Sequence, residues 1–299
     1  MIVNNLIDNF NQICFDFKIS IKEFYQNSNF YDKKISKTKD ITFEYKPSPY
    51  LLSSIVKYQK KKYKIEDFAL EDIWQNKLKN EEFEKLNNFF WFFSLDLKSS
   101  KETTQTIIKN WINKNNHYNK ESWDFDITSK RIISWLSNHQ LTFEDSEDEF
   151  KKKFNESIQK QTNHLLNEIK NLSEVESKII GCAAIILTGL AYKDDSKYLA
   201  DGLNLLKKII KSSISNNGFP KSRNIKQLIL YLKYFIIIRE WFKESQNTIP
   251  EYIDETIYYL GQSYAFIWQN TNQDILFNGN YISNNNEFDQ YLKRFGYVF

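Results

Sequence analysis

Four residues suited to carbohydrate binding recur at helical spacing in the stretch ITSKRIISWLSNHQLTFE (127–144). Arg131, Trp135, Asn138 and Thr142 follow one another at intervals of four, three and four, which places them on one face of a helix. An aromatic ring can stack on a sugar, while a guanidinium and an amide can hold carboxylates or hydroxyls. The same pattern also describes a tryptophan at the margin of a core beside a snorkelling arginine. The spacing leaves both interpretations open.

The histidines, three in number, are the next candidates. Asn163 and His164 stand side by side in QKQTNHLLNEIKN (159–171), which has helical periodicity. A helical wheel places Asn163 opposite the apolar stripe of this helix and His164 on its flank. They are either a working pair or part of the solvated side of the helix. His139 follows Asn138, and a histidine in such a position is more often structural or exposed than catalytic.

The loop NNGFPKSRN (216–224) is a third candidate site. It separates two helical stretches, and its last residues, Arg223 and Asn224 among them, are suited to capping the helix that follows. Arg223 at a helix N-terminus would also help to hold an anion. Capping and anion binding both fit this loop.

The composition predicts that helices position these residues. The chain has 299 residues, of which 41% are hydrophobic and 16% aromatic, so it can bury a substantial core. It contains 7 glycines and 4 prolines, which is unusually few for a fold rich in strands and turns. A helical protein is therefore favoured.

The charge of the chain is nearly balanced, with 41 basic and 38 acidic residues and a formal net charge of +3. Such a surface gives no general case for nucleic-acid or membrane binding. The local basic run KYQKKKYK (57–64) is predicted to be a solvated segment, because no recognisable module of stacking aromatics surrounds it.

The cysteines and apolar segments bear on whether this is a metal-binding, disulfide-linked or membrane protein. Cys14 and Cys182 show neither metal-ligand spacing nor a disulfide framework, so no metal or cofactor is expected. Cys182 lies in an apolar context typical of a buried thiol. The apolar run 179–191 is too short to span a bilayer, and no signal peptide is recognised at the N-terminus. The expected location is cytoplasmic, with a periplasmic location left open.

Residues 1–70 are predicted to form an irregular or mixed N-terminal arm with some helix. The stretch DITFEYKPSPYLL (40–52) alternates like an extended segment, and its two prolines, Pro47 and Pro49, are expected to exclude helix there.

Residues 71–299 have a helical pattern almost throughout. Capping boxes are predicted at Ser99 with Glu102 and at Ser173 with Glu176. Helices of this length joined by short loops pack as antiparallel neighbours. The pattern therefore predicts stacked helical hairpins, and the absence of a fixed repeat period disfavours a regular solenoid.

An ordered set of motifs resembles the heparinase II/III-like family of bacterial proteins, over roughly residues 70–290. The motifs are NNFFWFFSLDL (87–97), NWINKN (110–115), SWDFDITSKRIISWL (122–136), QTNHLLNEI (161–169), GLAYKDDSKYLADGLNLL (189–206), NGFPKSRN (217–224) and LFNGN (276–280). The resemblance is to the N-terminal helical domain of that family. It implies an all-α fold, an incomplete (α/α) toroid whose inner helices line a cleft.

The resemblance also implies β-elimination on uronate-containing acidic polysaccharide. In that chemistry an amide or arginine neutralises the uronate carboxylate, a base removes the C5 proton, and an acid protonates the leaving oxygen. Asn163 would be the neutraliser and His164 the base. The substrate-binding residues implied by the resemblance are Arg131, Trp135, Asn138, His139, Arg223, Asn224 and Asn278.

The sequence departs from the family pattern in two respects. Phe219 stands in the loop where a histidine is expected, and Tyr231 is the next tyrosine downstream. Relatives continue into a C-terminal β-sandwich, whereas this sequence stops at about that point, so a truncated and weakly active or inactive lyase domain is predicted. A separately encoded β-sandwich would be a partner. The alternative is a non-catalytic helical module that binds a glycan or a protein.

Overall fold

The computed structural model describes residues 2–53, 80–192, 196–268, 275–277, 280–282 and 286–299. Thirteen α-helices and one short β-hairpin occur in these ranges. The helices are α1 Ile2–Gln26, α2 Asn29–Ile35, α3 Pro49–Ser53, α4 Asn80–Asn87, α5 Lys101–Lys114, α6 Phe125–Ser137, α7 His139–Thr142, α8 Asp148–Glu168, α9 Val175–Ala191, α10 Ser196–Ser213, α11 Ile225–Glu244, α12 Glu251–Trp268 and α13 Asn286–Arg294. The strands β1 Ile275–Phe277 and β2 Asn280–Ile282 pair antiparallel. Two 3₁₀ helices, Phe90–Ser94 and Ile169–Asn171, complete the set.

The helices pack as hairpins around α9, the most deeply buried helix. Fourteen of its seventeen residues are buried, because it contacts α6, α8, α10 and α11 on different sides. Two glycines permit its close approach to α10. A Cβ on Gly189 would lie 2.3 Å from the Leu199 amide nitrogen, and one on Gly202 would lie 2.8 Å from an Ile186 side chain.

The predicted all-α class is confirmed, and the fold is an incomplete (α/α) toroid of antiparallel helical hairpins. Cys182 lies buried in α9 as a free thiol, as predicted. No helix in the described ranges is long and apolar enough to cross a membrane.

Both predicted capping boxes are wrong by one residue. Ser100, rather than Ser99, caps α5, and its hydroxyl accepts a hydrogen bond from the Thr103 amide at 3.1 Å. Glu174, rather than Ser173, occupies the N-cap of α9 and makes no side-chain cap bond. Adjacent serines at Ser99 and Ser100 are chemically equivalent caps, so the choice depends on where the preceding turn delivers the chain.

The N-terminal arm packs against the toroid. Helix α2 and the extended chain after it lie along α8, and the amides of Glu44 and Tyr45 donate to the Ala191 carbonyl at 3.0 and 3.3 Å. The expectation that the prolines exclude helix is wrong at Pro49, which is the first residue of α3, where its missing N–H costs nothing. The predicted domain boundary at residue 70 and the basic run 57–64 lie outside the described residues.

Candidate functional site

Arg131 is fully buried and bonded on every side by the protein. Its Nε donates to Gln161 Oε1 at 2.7 Å, and Nη1 donates to the carbonyls of Asn87 and Ser122 at 3.0 and 2.9 Å. Nη2 donates to Thr128, and the guanidinium lies 3.9 Å from the centre of the Trp111 ring. Four of its five N–H donors are thus used, so in this structure Arg131 ties helices together and is out of reach of a carboxylate.

Trp135 lies in the aromatic core rather than in a cleft. Its side chain is fully buried and packs edge-to-face with Phe89 and Trp111, and it stacks on Phe154. The Trp135 indole N–H finds no acceptor among the described residues. A ring so enclosed cannot stack on a sugar, because a second helical layer covers the face that the sequence pattern left ambiguous.

Asn138 and His139 end α6 and begin α7. The stretch 127–144 was expected to be one helix, but it breaks at Asn138, whose amide donates to the Ser134 carbonyl at 2.8 Å. His139 Nδ1 lies 3.0 Å from Glu144 Oε1. Burial lowers the pKa of His139, while Glu144 opposes that shift. Both side chains serve local structure.

Asn163 lies on the outer side of α8, where the N-terminal arm crosses it. Its amide nitrogen donates to the carbonyl of Ile35 at 2.8 Å and to that of Lys37 at 3.3 Å. Its amide oxygen accepts from the Tyr198 hydroxyl at 3.0 Å. The side chain is half-buried and reaches the wall of an open groove.

His164 is 2% exposed and lies beneath the arm. Its Nδ1 is 2.7 Å from the Tyr31 hydroxyl, and the main chain of Trp123 is a further hydrogen-bond partner of the ring. Burial lowers the pKa of His164 to about 3, so the ring is neutral at physiological pH. A neutral imidazole has one donor nitrogen and one acceptor nitrogen, and the Tyr31 hydroxyl occupies the Nδ1 position.

A groove of about 630 Å³ opens beside Asn163 between the arm, α8 and α10. Five lysines and one aspartate supply its charged groups, and asparagines and two leucines line the remainder. The lining residues are Lys34, Lys37, Asn163, Leu166, Asn167, Lys170, Lys197, Asp201, Asn204, Leu205 and Lys208. The groove therefore carries more net positive charge than the whole chain, whose formal charge is +3.

The loop at 216–224 makes hydrogen bonds that hold the start of α11. Asn224 caps α11, and its side chain accepts from the Lys226 amide at 2.9 Å, as the capping interpretation predicts. Arg223 is exposed with a positive φ of 61°, and it is not among the residues that line the groove. Asn278 lies outside the described residues.

The structure thus brings Asn163 and His164 together with the arm, and separates Arg131 and Trp135 from the groove by burial. The sequence did not reveal the groove lysines as a site, because they come from three segments that are far apart in the chain. One signal was present: Lys197, Asp201, Asn204 and Lys208 recur at helical spacing on the polar side of α10. Among the described residues, no group of three or more His, Cys, Asp or Glu side chains is placed to hold a metal ion.

Comparison with solved structures shows which proteins have a similar fold. The structure of heparinase III matches with a TM-score of 0.56 and 16% sequence identity, over 92% of this chain and 51% of that one. A mutant of heparan sulfate lyase HepC from Pedobacter heparinus matches with a TM-score of 0.57 and 15% identity, over 88% of this chain and 46% of that one. The chain has the heparinase-type helical fold.

The resemblance seen in the sequence is therefore confirmed at the level of the fold. The chain spans about half the length of these two solved structures. No protein-family model matches the sequence. No curated protein sequence matches it significantly either.

Proposed function

We propose that this protein binds acidic polysaccharide in the lysine groove, on a heparinase-type fold. The observation that carries the proposal is the gathering of Lys34, Lys37, Lys170, Lys197 and Lys208 around one concavity beside Asn163. A polyanionic chain has charge at every repeat, so it can pair with several lysines at once, and each pair adds to the affinity.

The charge distribution supports a local site rather than a generally basic surface. The chain as a whole is nearly neutral, so its long-range attraction for polyanions is weak. A concave cluster of like charge between low-dielectric walls concentrates its potential in the groove. Asn167 and Asn204 add amides that can bond sugar hydroxyls between the charges.

Elimination at Asn163 and His164 is the finer part of the proposal. The Asn163 amide would hold the uronate carboxylate, and His164 Nδ1 would take the C5 proton. The electron pair left on C5 would form the C4–C5 double bond as the C4–O bond breaks, and water would protonate the leaving oxygen. In the present conformation both side chains are engaged by the arm. We therefore expect little or no turnover by the wild-type chain.

A non-catalytic binding module is the second candidate. The observation that favours it is the burial of His164, the predicted base, and of Arg131, a predicted substrate-binding residue. A separately encoded β-sandwich partner and the cytoplasmic location remain predictions from the sequence.

The binding proposal is tested by titrating the full chain with heparan sulfate and with an uncharged glucan by calorimetry, at low and at physiological ionic strength. Heparan sulfate should bind, with an affinity that falls as salt screens the lysines, and the glucan should not. Equal binding of both polysaccharides, or of neither, would contradict the proposal.

A further inference from the structure

One segment of the N-terminal arm contacts both residues of the predicted catalytic pair. We call residues 28–38, which comprise α2 and the turn on either side of it, the strap. The Tyr31 hydroxyl meets His164 Nδ1 at 2.7 Å, and four and six residues later the carbonyls of Ile35 and Lys37 accept from the Asn163 amide. The strap thus occupies the side chains of the predicted neutraliser and the predicted base.

Each contact offers the donor or acceptor that occupies the group needed for elimination. A base needs a free lone pair, and the strap presents a hydroxyl to Nδ1 of a neutral His164. A carboxylate neutraliser needs free N–H donors, and the strap presents carbonyl oxygens to those of Asn163. The strap therefore satisfies both side chains in its docked position, and a substrate must replace it.

The strap is packed separately from the main core. Tyr31 and Ile35 form a small cluster with Trp123, against which Tyr25 and Tyr118 pack. The chain that follows belongs to the main core through Ile41 and Phe43 and others. A segment held by a small cluster outside the main core can detach while the main core stays folded.

Bonds at the edge of the strap are polar and exchangeable with water or with a polyanion. Asp32 pairs with Lys160 at 2.7 Å, and its other carboxylate oxygen lies 3.4 Å from His117 Nδ1. Lys34 and Lys37 point into the lysine groove from the strap itself. A bound polyanion therefore contacts the strap directly.

We infer that the strap is an autoinhibitory element that covers Asn163 and His164 while leaving the lysine groove open. The inference rests on the proposed function, because it separates polysaccharide binding from elimination at the same site. With the strap displaced, His164 Nδ1 takes the C5 proton, the C4–C5 double bond forms as the C4–O bond breaks, and water protonates the leaving oxygen. With the strap docked, the protein binds without cleaving.

The full chain carrying Ile35→Ala tests the inference. Ile35 is fully buried in the strap cluster, so its truncation weakens docking without altering a groove residue. Ile13→Ala is the matched control, because Ile13 lies on the same arm and is 66% exposed. Unsaturated product from heparan sulfate is followed by ultraviolet absorbance. Hydrogen exchange at strap amides measures opening, and calorimetry measures binding.

Ile35→Ala should speed strap exchange and raise the rate of product formation roughly tenfold or more over wild type and Ile13→Ala. Adding Asn163→Ala or His164→Ala should abolish the gain. If exchange shows the strap still docked, Tyr31→Ala is added, with the same expectation. An open strap in a chain that cleaves no faster would overturn the inference, and it would leave the binding proposal intact where the wild type binds. A chain that binds in no form would instead overturn the proposed function.

Discussion

Arg131 was expected to face a ligand, and it instead holds four acceptors from separate parts of the protein. A helical wheel gives the direction of a side chain but not what lies in that direction, and a second helix layer covers this one. The prediction that Trp135 faces a ligand is wrong for the same reason. Asn224 was predicted as a possible cap and is one, because capping depends on local sequence.

Arg131→Ala should lower the free energy of unfolding by about 3–5 kcal/mol, since it empties a buried volume and leaves buried carbonyls unpaired. Arg223→Ala, which changes an exposed arginine, should cost less than about 0.5 kcal/mol. Urea denaturation of both variants measures the difference. Similar small losses would show that Arg131 is dispensable to the fold.

Buried, neutral His164 makes stability depend on pH. Its pKa is about 3 when folded and about 6.5 when unfolded, so the unfolded chain alone binds the proton between these values. Its contribution is complete above about pH 6.5 and is lost progressively as pH falls towards 3. At pH 5 this loss is about 2 kcal/mol.

The measurement compares free energies of unfolding at about pH 7 and pH 5. His164→Gln should shrink the difference between the two pH values by about 2 kcal/mol. An unchanged difference in His164→Gln would show that this imidazole is protonated in the folded protein.

At the scale of elements, the apolar stripe of α8 was predicted correctly. Phe154, Ile158 and Leu165 are fully buried, because periodicity alone decides which side of a helix meets a core. The surroundings of the opposite side of the helix could not be predicted from periodicity. Asn163 there lines the groove and also binds the backbone of a segment more than 120 residues earlier. Such a long-range contact has no local signature.

The α9–α10 contact predicts a contrast between two glycines. Gly189→Ala should cost about 2 kcal/mol net of its gain in helix propensity, because the added methyl collides with the Leu199 backbone. Gly296→Ala has open space and should cost about 1 kcal/mol from its positive φ alone. Thermal unfolding of the two variants ranks them, and a harmless Gly189→Ala would mean that the helices lie farther apart.

At the scale of the whole molecule, the low glycine and proline content predicted a helical protein, and the family resemblance carried by the ordered motifs implied the toroid. The groove was not predictable, because it depends on the arm, α8 and α10 meeting in space. Lysine is common throughout this sequence, so none of the groove lysines is distinctive alone.

The most direct measurement of the central claim is the affinity for heparan sulfate of two triple variants. Lys170, Lys197 and Lys208 are changed to Gln in the first, and the exposed Lys98, Lys109 and Lys226, which do not line the groove, in the second. Both variants lose the same formal charge. The groove variant should bind about tenfold more weakly than wild type and the control within about twofold. Equal losses in the two variants would contradict a specific site in the groove.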